Sequence, residues 1–252
     1  MKKLLIFLSV VFLIPEFAFP GELEKKYLQA NEFYKNGQYD TAIILYETIL
    51  ASESIAPEVY FNLGNAYYKT KNLSEAILNY ERAYKLKPND ERISFNLQLA
   101  QSMTIDKINV LPQFFVKRWV IRFIHIFPAD IWADLSMVLF LFTLFFSGLY
   151  LFTKKIFLKK SGFWLGTIVL FFCLVSLMGA FYQKHSYLSH NEAIVMNPSV
   201  TIKSSPDEKG NDLFVIHEGT KVFVIDQLGE WQEIKIADGN RGWLKLSDIA
   251  II

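Results

Sequence analysis

The sequence predicts a multidomain α + β membrane protein, with all-α helical repeats, a two-helix transmembrane hairpin and a small all-β barrel. Residues 31–50 resemble residues 65–84 at a fixed offset of 34, a spacing typical of stacked helical repeats. Two nearly uncharged runs, 131–152 and 163–182, are each about 20 residues long, enough to cross a bilayer as helices. Residues 191–252 instead alternate short apolar runs with turn sequences, as small antiparallel barrels do.

Residues 1–20 have the pattern of a secretory signal peptide. Lys2 and Lys3 precede an apolar core, Leu4–Ile14, which Pro15 ends. This core is too short to cross a bilayer comfortably. No clear cleavage site is present, so an uncleaved anchor is the alternative. In both cases, we expect the chain from Gly21 onward to be exported.

Residues 21–106 are predicted to form two helical repeats, 23–56 and 57–90, closed by a capping helix, 91–106. The second copy closely resembles the tetratricopeptide (TPR) pattern, which its aromatic, small and proline positions match: Tyr60, Leu63, Gly64, Tyr67, Ala76, Tyr80 and Pro88. Small residues let two antiparallel helices approach, and the aromatic rings fill the space between them. Asp40 and Ser74 are predicted to cap the second helix of each copy.

Several residues that recur between the copies are predicted to line a protein-binding groove. They lie three or four positions apart, so a helix places them on one face. The TPR resemblance implies that this face holds an extended peptide or a partner helix. The alternative is that these residues recur through duplication alone and are simply solvated. The predicted groove residues are Asn31, Tyr34, Lys35, Phe61, Asn65, Tyr68, Lys69, Arg92 and Asn96.

Residues 107–128 combine basic and aromatic side chains, bounded by Pro112 and Pro128. On a helix the cations form one stripe and the apolar residues occupy the rest. This pattern predicts an amphipathic helix on the membrane surface, with its cations near lipid phosphates. The alternative is a helix packed under the repeats. The predicted interface residues are Lys117, Arg118, Trp119 and Arg122.

The apolar runs 131–152 and 163–182 are predicted to span the membrane, joined by a cytoplasmic loop, 153–162. The loop contains four lysines and no acid, as cytoplasmic loops often do. Export of the N-terminal segment then places the repeats and the C-terminal domain on the periplasmic side of a bacterial inner membrane. A buried hairpin in a soluble core is the weaker alternative. Aromatic residues are expected at the water–lipid boundaries: Trp132, Tyr150, Trp164 and Tyr182.

Residues 191–252 are predicted to contain five strands: 193–196, 200–203, 221–226, 231–236 and 242–246. The order of VTIKSSPDEKG, LFVIHEGTKVFVID and GEWQEIKIADGNRGWLKL resembles the bacterial SH3-like (SH3b) family. The most informative pieces are the turn His217–Thr220 and the pair Gly242–Trp243. Trp231 and Trp243 are candidates for a binding surface, and closing the barrel core is the alternative role.

Composition and motifs argue against several functions. The formal net charge of +1 is unlike that of nucleic-acid-binding domains, which are usually strongly basic. No nucleophile elbow, phosphate loop, dinucleotide fingerprint or zinc-binding helix pattern occurs in the sequence. The single cysteine, Cys173, lies inside the second apolar run. We therefore expect neither an enzyme nor a cofactor or metal site.

The order of signal, repeats, hairpin and SH3-like barrel resembles the TPR proteins of bacterial aerotolerance (Bat) gene clusters. That resemblance implies a scaffold working with von Willebrand A-like membrane proteins and a MoxR-type ATPase in a stress complex. Two possible interaction modules on one side of a membrane anchor also suggest a scaffold. The alternative function is a membrane-tethered protein whose barrel binds peptidoglycan.

Overall fold

The structure, a computed structural model, describes residues 21–52, 55–108, 115–189 and 191–252. It confirms the predicted fold class: a helical repeat region, two long apolar helices and an antiparallel β domain. The predicted signal peptide lies outside the described residues. The repeat region contains five helices: α1 (Gly21–Lys35), α2 (Tyr39–Ala51), α3 (Pro57–Lys69), α4 (Leu73–Leu86) and α5 (Glu91–Ser102).

The two repeat copies turn between their helices in the same way. Gly37 and Lys71, which are 34 positions apart, both have left-handed backbone conformations, with φ of 77° and 67°. At each turn, the next residue donates its N–H to a carbonyl in the helix before it: Gln38 to Phe33, and Asn72 to Tyr67. This is a Schellman-type helix end, for which glycine is the usual residue. The second copy therefore makes the same turn with a less suitable residue.

The helix-cap prediction is wrong. α2 and α4 begin at Tyr39 and Leu73, so Asp40 and Ser74 lie inside the first turn rather than before it. The cap positions carry no side-chain cap hydrogen bond. The left-handed residue of each turn lies one position before the cap position. Each helix therefore begins earlier than the positions of Asp40 and Ser74 suggest.

Small residues and tyrosines pack the repeat helices together. A Cβ atom added at Gly64 would lie 2.7 Å from the Tyr80 ring. Ala42, Tyr46, Ala76 and Tyr80 are 0–1% exposed. A glycine facing a buried aromatic ring thus sets how closely α3 and α4 approach, as the repeat pattern predicts.

Three helices follow: α6 (Phe115–Ile124), α7 (Ala129–Phe152) and α8 (Ile156–Leu188). By length and composition, α7 and α8 could each cross a membrane. The connection between them is shorter than the expected loop of 153–162, because α8 already begins at Ile156. Lys159 and Lys160 therefore lie in its first turns. α8 also continues beyond residue 182, the expected end of the second span, so its last six residues extend past it.

α7 and α8 pack as an antiparallel hairpin whose contacts use small residues. Cβ atoms added at Gly162 and Gly166 would lie 3.0 Å and 3.3 Å from α7 atoms of Phe146. Near the other end, Ser176 donates a hydrogen bond to the Trp132 carbonyl at 2.7 Å. Close approach through small residues is the usual basis of helix packing in lipid.

The β domain contains seven antiparallel strands, two more than expected. The strands are β1 (Glu192–Val195), β2 (Ser199–Lys203), β3 (Asp212–His217), β4 (Lys221–Leu228), β5 (Trp231–Lys235), β6 (Arg241–Lys245) and β7 (Ile249–Ile251). Their order in the sheet is β3-β2-β6-β5-β4-β1-β7. The prediction missed β3 and β7, which are the two edge strands. The core lies on one face of the sheet and includes Ala193, Val195, Ile202, Val222 and Ile234.

The β domain also packs against the repeat region. Ile194, on the face of β1 opposite the core, joins an apolar cluster with Ile77, Leu78 and Tyr80 of α4. The two soluble segments, which lie on either side of the hairpin in the sequence, therefore contact each other.

Candidate protein-binding groove

The predicted groove residues lie on α1, α3 and α5, the first helices of successive repeat copies. We call the surface formed by these three helices the groove face. Asparagine side chains connect the three helices. Asn62 on α3 donates to Asn31 Oδ1 on α1 at 2.9 Å, and Asn96 on α5 donates to Asn65 Oδ1 on α3 at 2.8 Å. The structure thus brings Asn31, Asn65 and Asn96 together with neighbouring repeat helices.

Each of the two acceptor asparagines receives a second hydrogen bond from a buried tyrosine. Tyr46 donates to Asn31 Oδ1 at 2.6 Å, and Tyr80 donates to Asn65 Oδ1 at 2.8 Å. Burial raises the pKa of both tyrosine hydroxyls, so they remain protonated and keep donating at neutral pH. Asn31 and Asn65 are therefore held by the stack itself.

These bonds orient the asparagine amides. In each amide, the oxygen Oδ1 accepts hydrogen bonds from two donors on neighbouring repeat helices. The nitrogen Nδ2 must therefore occupy the other terminal position of the amide. Among the described residues, neither Asn31 Nδ2 nor Asn65 Nδ2 has an acceptor. Both side chains are partly exposed. The groove face thus presents two oriented donors, from equivalent positions of the two copies.

Sequence reasoning missed Asn62 and the aromatic position of α1, Tyr27. Asn62 also donates to the Tyr27 hydroxyl at 3.0 Å. The offset of 34 could have revealed both, because it relates Asn62 to Asn96 and Tyr27 to Phe61 and Phe95. Tyr27 and Phe61 each contact the buried tyrosine of their own copy, with ring centroids 6.3 Å and 6.0 Å apart.

In the third copy, no second helix covers the aromatic residue within the part of the chain that the structure describes. The equivalent residue, Phe95, is 66% exposed, and Leu99, one turn further along α5, is 42% exposed. Terminal helices of repeat stacks normally present a polar outer surface. The last helix of this stack instead leaves apolar side chains open beside the asparagines.

The groove-face helices also carry three cations, Arg92, Lys35 and Lys69. Arg92 Nη2 lies 2.7 Å from Asp90 Oδ2, and its guanidinium lies 5.8 Å from the centre of the Phe61 ring. Hydrogen bonds from Arg92 lower the pKa of Asp90 to about 2. Lys35 and Lys69 are exposed at the ends of α1 and α3. Tyr34 and Tyr68 are partly buried: the Tyr34 ring contacts Tyr39, and the Tyr68 hydroxyl contacts Met103 Sδ at 3.3 Å.

The predicted membrane-interface residues are divided between exposed and buried positions. Trp132 is only 5% exposed, and its Nε1 donates to the Ile124 carbonyl at 2.7 Å. It therefore joins α6 to the hairpin. The exposed members are Trp119, Arg122, Tyr150, Trp164 and Tyr182, and Lys117 and Arg118 lie in α6.

The exposed apolar residues of α6 distinguish between its two expected positions, on the membrane surface or packed under the repeats. Phe115 and Trp119 are 67% and 74% exposed, and Val120 and Phe123 are 47% and 43% exposed. This apolar surface is not packed under the repeats in the described residues. Asn89 donates to the His125 carbonyl, just after the end of α6, so the repeat region lies close to this end of the hairpin.

Trp231 and Trp243 are not part of the β-domain core. Both are partly exposed on the outer sheet face, where Trp231 is paired with Lys245 and Trp243 with Glu233. The Lys245 ammonium lies 5.7 Å from the centre of the Trp231 ring. The residues that fill the core beneath them are Ile234 and Leu244.

The comparisons with known proteins support the repeat region. The tetratricopeptide repeat family model matches residues 27–91, which covers most of both predicted copies. This match confirms the prediction of TPR repeats there, and TPR repeats are typically protein-interaction modules. No curated protein matches the chain. Among the described residues, no group of three or more His, Cys, Asp or Glu side chains could hold a metal ion.

Proposed function

We propose that this protein is a non-enzymatic, membrane-anchored scaffold that binds an extended segment of a partner protein on its groove face. The observation that carries the proposal is the pair of oriented amides on Asn31 and Asn65. A partner backbone has a carbonyl at every residue, so two fixed donors can hold an extended chain of any sequence. Phe95, Leu99 and the surrounding cations then select side chains.

Pre-organisation explains why the asparagines suit this role. The tyrosine and asparagine donors already fix each amide before a partner arrives, so binding costs little side-chain entropy. A free surface asparagine would lose rotamer freedom on binding. The groove face thus combines oriented polar contacts with exposed apolar side chains, and protein-binding surfaces generally contain both kinds of group.

The anchor in this proposal is the α7–α8 hairpin in a bacterial inner membrane, with the repeats and the β domain on the periplasmic side. The exposed apolar residues of α6 would then contact the membrane surface, with Arg122 near lipid phosphates. The order of modules further suggests a Bat/MoxR-type stress or aerotolerance complex. In that complex the groove would hold a periplasmic segment of a von Willebrand A-like membrane protein, and a MoxR-type ATPase would be a further member of the complex.

Asparagine-to-aspartate substitution tests the groove. Asn31→Asp with Asn65→Asp keeps an acceptor for Tyr46 and Tyr80 but replaces both outward donors by carboxylate oxygens. These oxygens repel the carbonyl groups of a bound backbone. Photoreactive benzoylphenylalanine at Lys69 of the full-length protein in its membrane would report partner capture. We expect the double variant to lose most of the cross-linked product while its helical circular dichroism stays unchanged.

The matched control is Asn36→Asp with Asn72→Asp, which makes the same chemical change at two exposed positions outside the groove face. It should keep wild-type cross-linking. Equal cross-linking by the groove variant and the wild type would refute the assignment of the groove.

The alternative function, peptidoglycan binding by an SH3b-type β domain, is favoured by one observation. Trp231 and Trp243 lie on the outer sheet face rather than in the core, where aromatic rings could stack on sugar rings. The full-length protein in detergent should then sediment with purified sacculi. Trp231→Ala with Trp243→Ala should abolish that sedimentation, whereas the groove variant should not. Absence of wild-type sedimentation would eliminate this alternative.

A further inference from the structure

The turn that most resembles the SH3-like family, His217–Thr220, contacts the repeat region. Asp106, which follows α5, accepts hydrogen bonds from the His217 backbone N–H and the Thr220 hydroxyl, both at 2.7 Å. Its other carboxylate oxygen lies 2.8 Å from His217 Nδ1. The Asp106 carboxylate thus bonds to three groups of a single turn: a backbone N–H, a hydroxyl and an imidazole ring.

An ion cluster lies on the same contact, beside β1 and β4. Lys221 Nζ lies 2.9 Å from Glu81 Oε2 on α4 and 2.9 Å from Glu192 Oε2 on β1. Gln101 on α5 donates to the second Glu81 oxygen at 3.0 Å. Burial alone would lower the pKa of Lys221, but the two carboxylates outweigh it and raise that pKa. Burial raises the pKa of Glu81, and the Lys221 ammonium and the Gln101 amide, which both bond to its carboxylate, oppose that rise.

Main-chain contacts extend the interface along α4. Arg82 donates to the Ile251 carbonyl at 2.8 Å, and Lys85 donates to the Ser189 carbonyl at 2.6 Å. The apolar centre is dry: Ile77 and Ile194 are both 0% exposed. The contact therefore has a buried apolar centre with charged groups that are paired.

The two repeat copies show that this surface is specialised for docking. Leu78 is 3% exposed, whereas its equivalent in the first copy, Ile44, is 63% exposed. Glu81 is buried, whereas its equivalent, Glu47, is exposed. At the positions of Arg82 and Lys85, the first copy has Thr48 and Ala51, which have no cationic group. The glutamate and the large apolar residue thus occur in both copies, whereas the two cations occur only in the copy that the β domain covers.

We infer that the β domain docks stably on the second repeat of its own chain, and that both soluble segments therefore lie on the same side of the membrane. Residues 76–106 and 192–252 flank the hairpin, so, with α7 and α8 spanning the membrane as in the proposed function, an interface between them requires the chain to cross and return. The β domain then uses one of its surfaces to bind a partner in the same molecule. This surface consists of the His217–Thr220 turn, β1 and Lys221. This inference does not depend on what the groove binds.

A disulfide between the two segments tests the docking directly. A Cβ atom at Gly219 would lie 2.9 Å from Thr104 Cγ2, which puts the two Cβ atoms within reach of a disulfide. Thr104→Cys with Gly219→Cys is made in a full-length Cys173→Ser background and oxidised in native membranes. We expect mass spectrometry of the monomer to find tryptic peptides 93–107 and 210–221 linked. No link, or a link found only in dimers, would overturn docking within one chain.

Gly229 provides the matched control for that variant. It also has a left-handed backbone, with φ of 61°, but a Cβ atom there has no neighbour within 4 Å. Thr104→Cys with Gly229→Cys should therefore carry a similar backbone strain without forming the link.

Single-cysteine labelling with a membrane-impermeant maleimide tests the topology without substituting a glycine. Lys25→Cys reports the repeats, Lys209→Cys the β domain and Lys154→Cys the short connection, all at exposed positions. We expect the first two to be labelled from the same side and the third only from the other side. Labelling of the first two from opposite sides would overturn the inference even if the double-cysteine protein failed to fold.

Discussion

Replacing Lys221 by methionine should destabilise the docked domains in a pH-dependent way. Methionine keeps most of the side-chain volume but removes the ammonium that pairs with Glu81. The Glu81 side chain is only 6% exposed, so its charge cannot be solvated in the variant. Glu192 is more exposed, at 34%, and can regain water. The cost of the substitution therefore falls mainly on Glu81.

Protonation of Glu81 limits that cost. The carboxyl group has a pKa of about 4.3 in an unfolded chain, and taking up a proton costs about 1.4 kcal/mol for each pH unit above it. In the variant the pKa of the buried Glu81 is raised, so stability is fully retained below the unfolded-state pKa and lost as pH rises. The loss is at most about 4 kcal/mol at pH 7, within the range for broken buried pairs, and at most about 1 kcal/mol at pH 5.

Thermal unfolding of the full-length protein in detergent checks this calculation. At 2–4 °C for each kcal/mol, the melting temperature of Lys221→Met should fall below that of the wild type by up to about 8–16 °C at pH 7, and by up to about 2–4 °C at pH 5. Lys245→Met is the control, because its partner Glu208 lies on the surface. Adding Glu81→Met should recover most of the loss. Equal losses at both pH values, or no recovery in the double variant, would refute the reasoning.

Two further substitutions test the repeat turn and the docking turn. Lys71→Gly should stabilise the protein by roughly 0.5–1 kcal/mol in a denaturant titration, because glycine adopts the left-handed turn without strain. Lys25→Gly, at an exposed position inside helix α1, should instead destabilise it by about 1 kcal/mol. The reverse order would contradict the turn assignment. Asp106→Ala should lower stability by about 2–3 kcal/mol, because it removes a charged acceptor and leaves donors of His217 and Thr220 unpaired. The exposed control Asp226→Ala should change stability by less than about 0.5 kcal/mol, and an equal effect of the two would contradict a role for Asp106 in docking.

Features that repeat or that have an extreme composition could be predicted from the sequence. The offset of 34 identified the repeat helices, and the long apolar runs identified α7 and α8. The same offset selected Asn31 and Asn65 for the groove. It could not show that their oxygens bond to Tyr46 and Tyr80, because equivalent positions repeat whether their role is structural or functional.

The missed strands lacked a pattern that sequence reasoning can detect. In β3, Phe214 and Ile216 point toward the core, but Leu213 and Val215 on the other face are apolar too and are 50% and 48% exposed. Such a segment shows no alternation between apolar and polar residues. β7 has only three residues, which is too short for a periodic signal.

The docking of the β domain was hidden for a different reason: its residues look ordinary in their local sequence. The local sequence predicts that Glu81 and Lys221 are solvated surface charges and that Ile194 is a core residue of the barrel. Their partners are 140 residues away or on another domain, so no local period connects them. The contrast between the two copies was nevertheless present in the sequence, since Arg82 and Lys85 replace Thr48 and Ala51 at equivalent positions. In this protein, the positions where only the second copy carries a cation are those that donate to carbonyls at the contact with its neighbour. Here the neighbour is the β domain at the far end of the same chain, and the first copy, with Ile44 still exposed, shows what the surface is like without it.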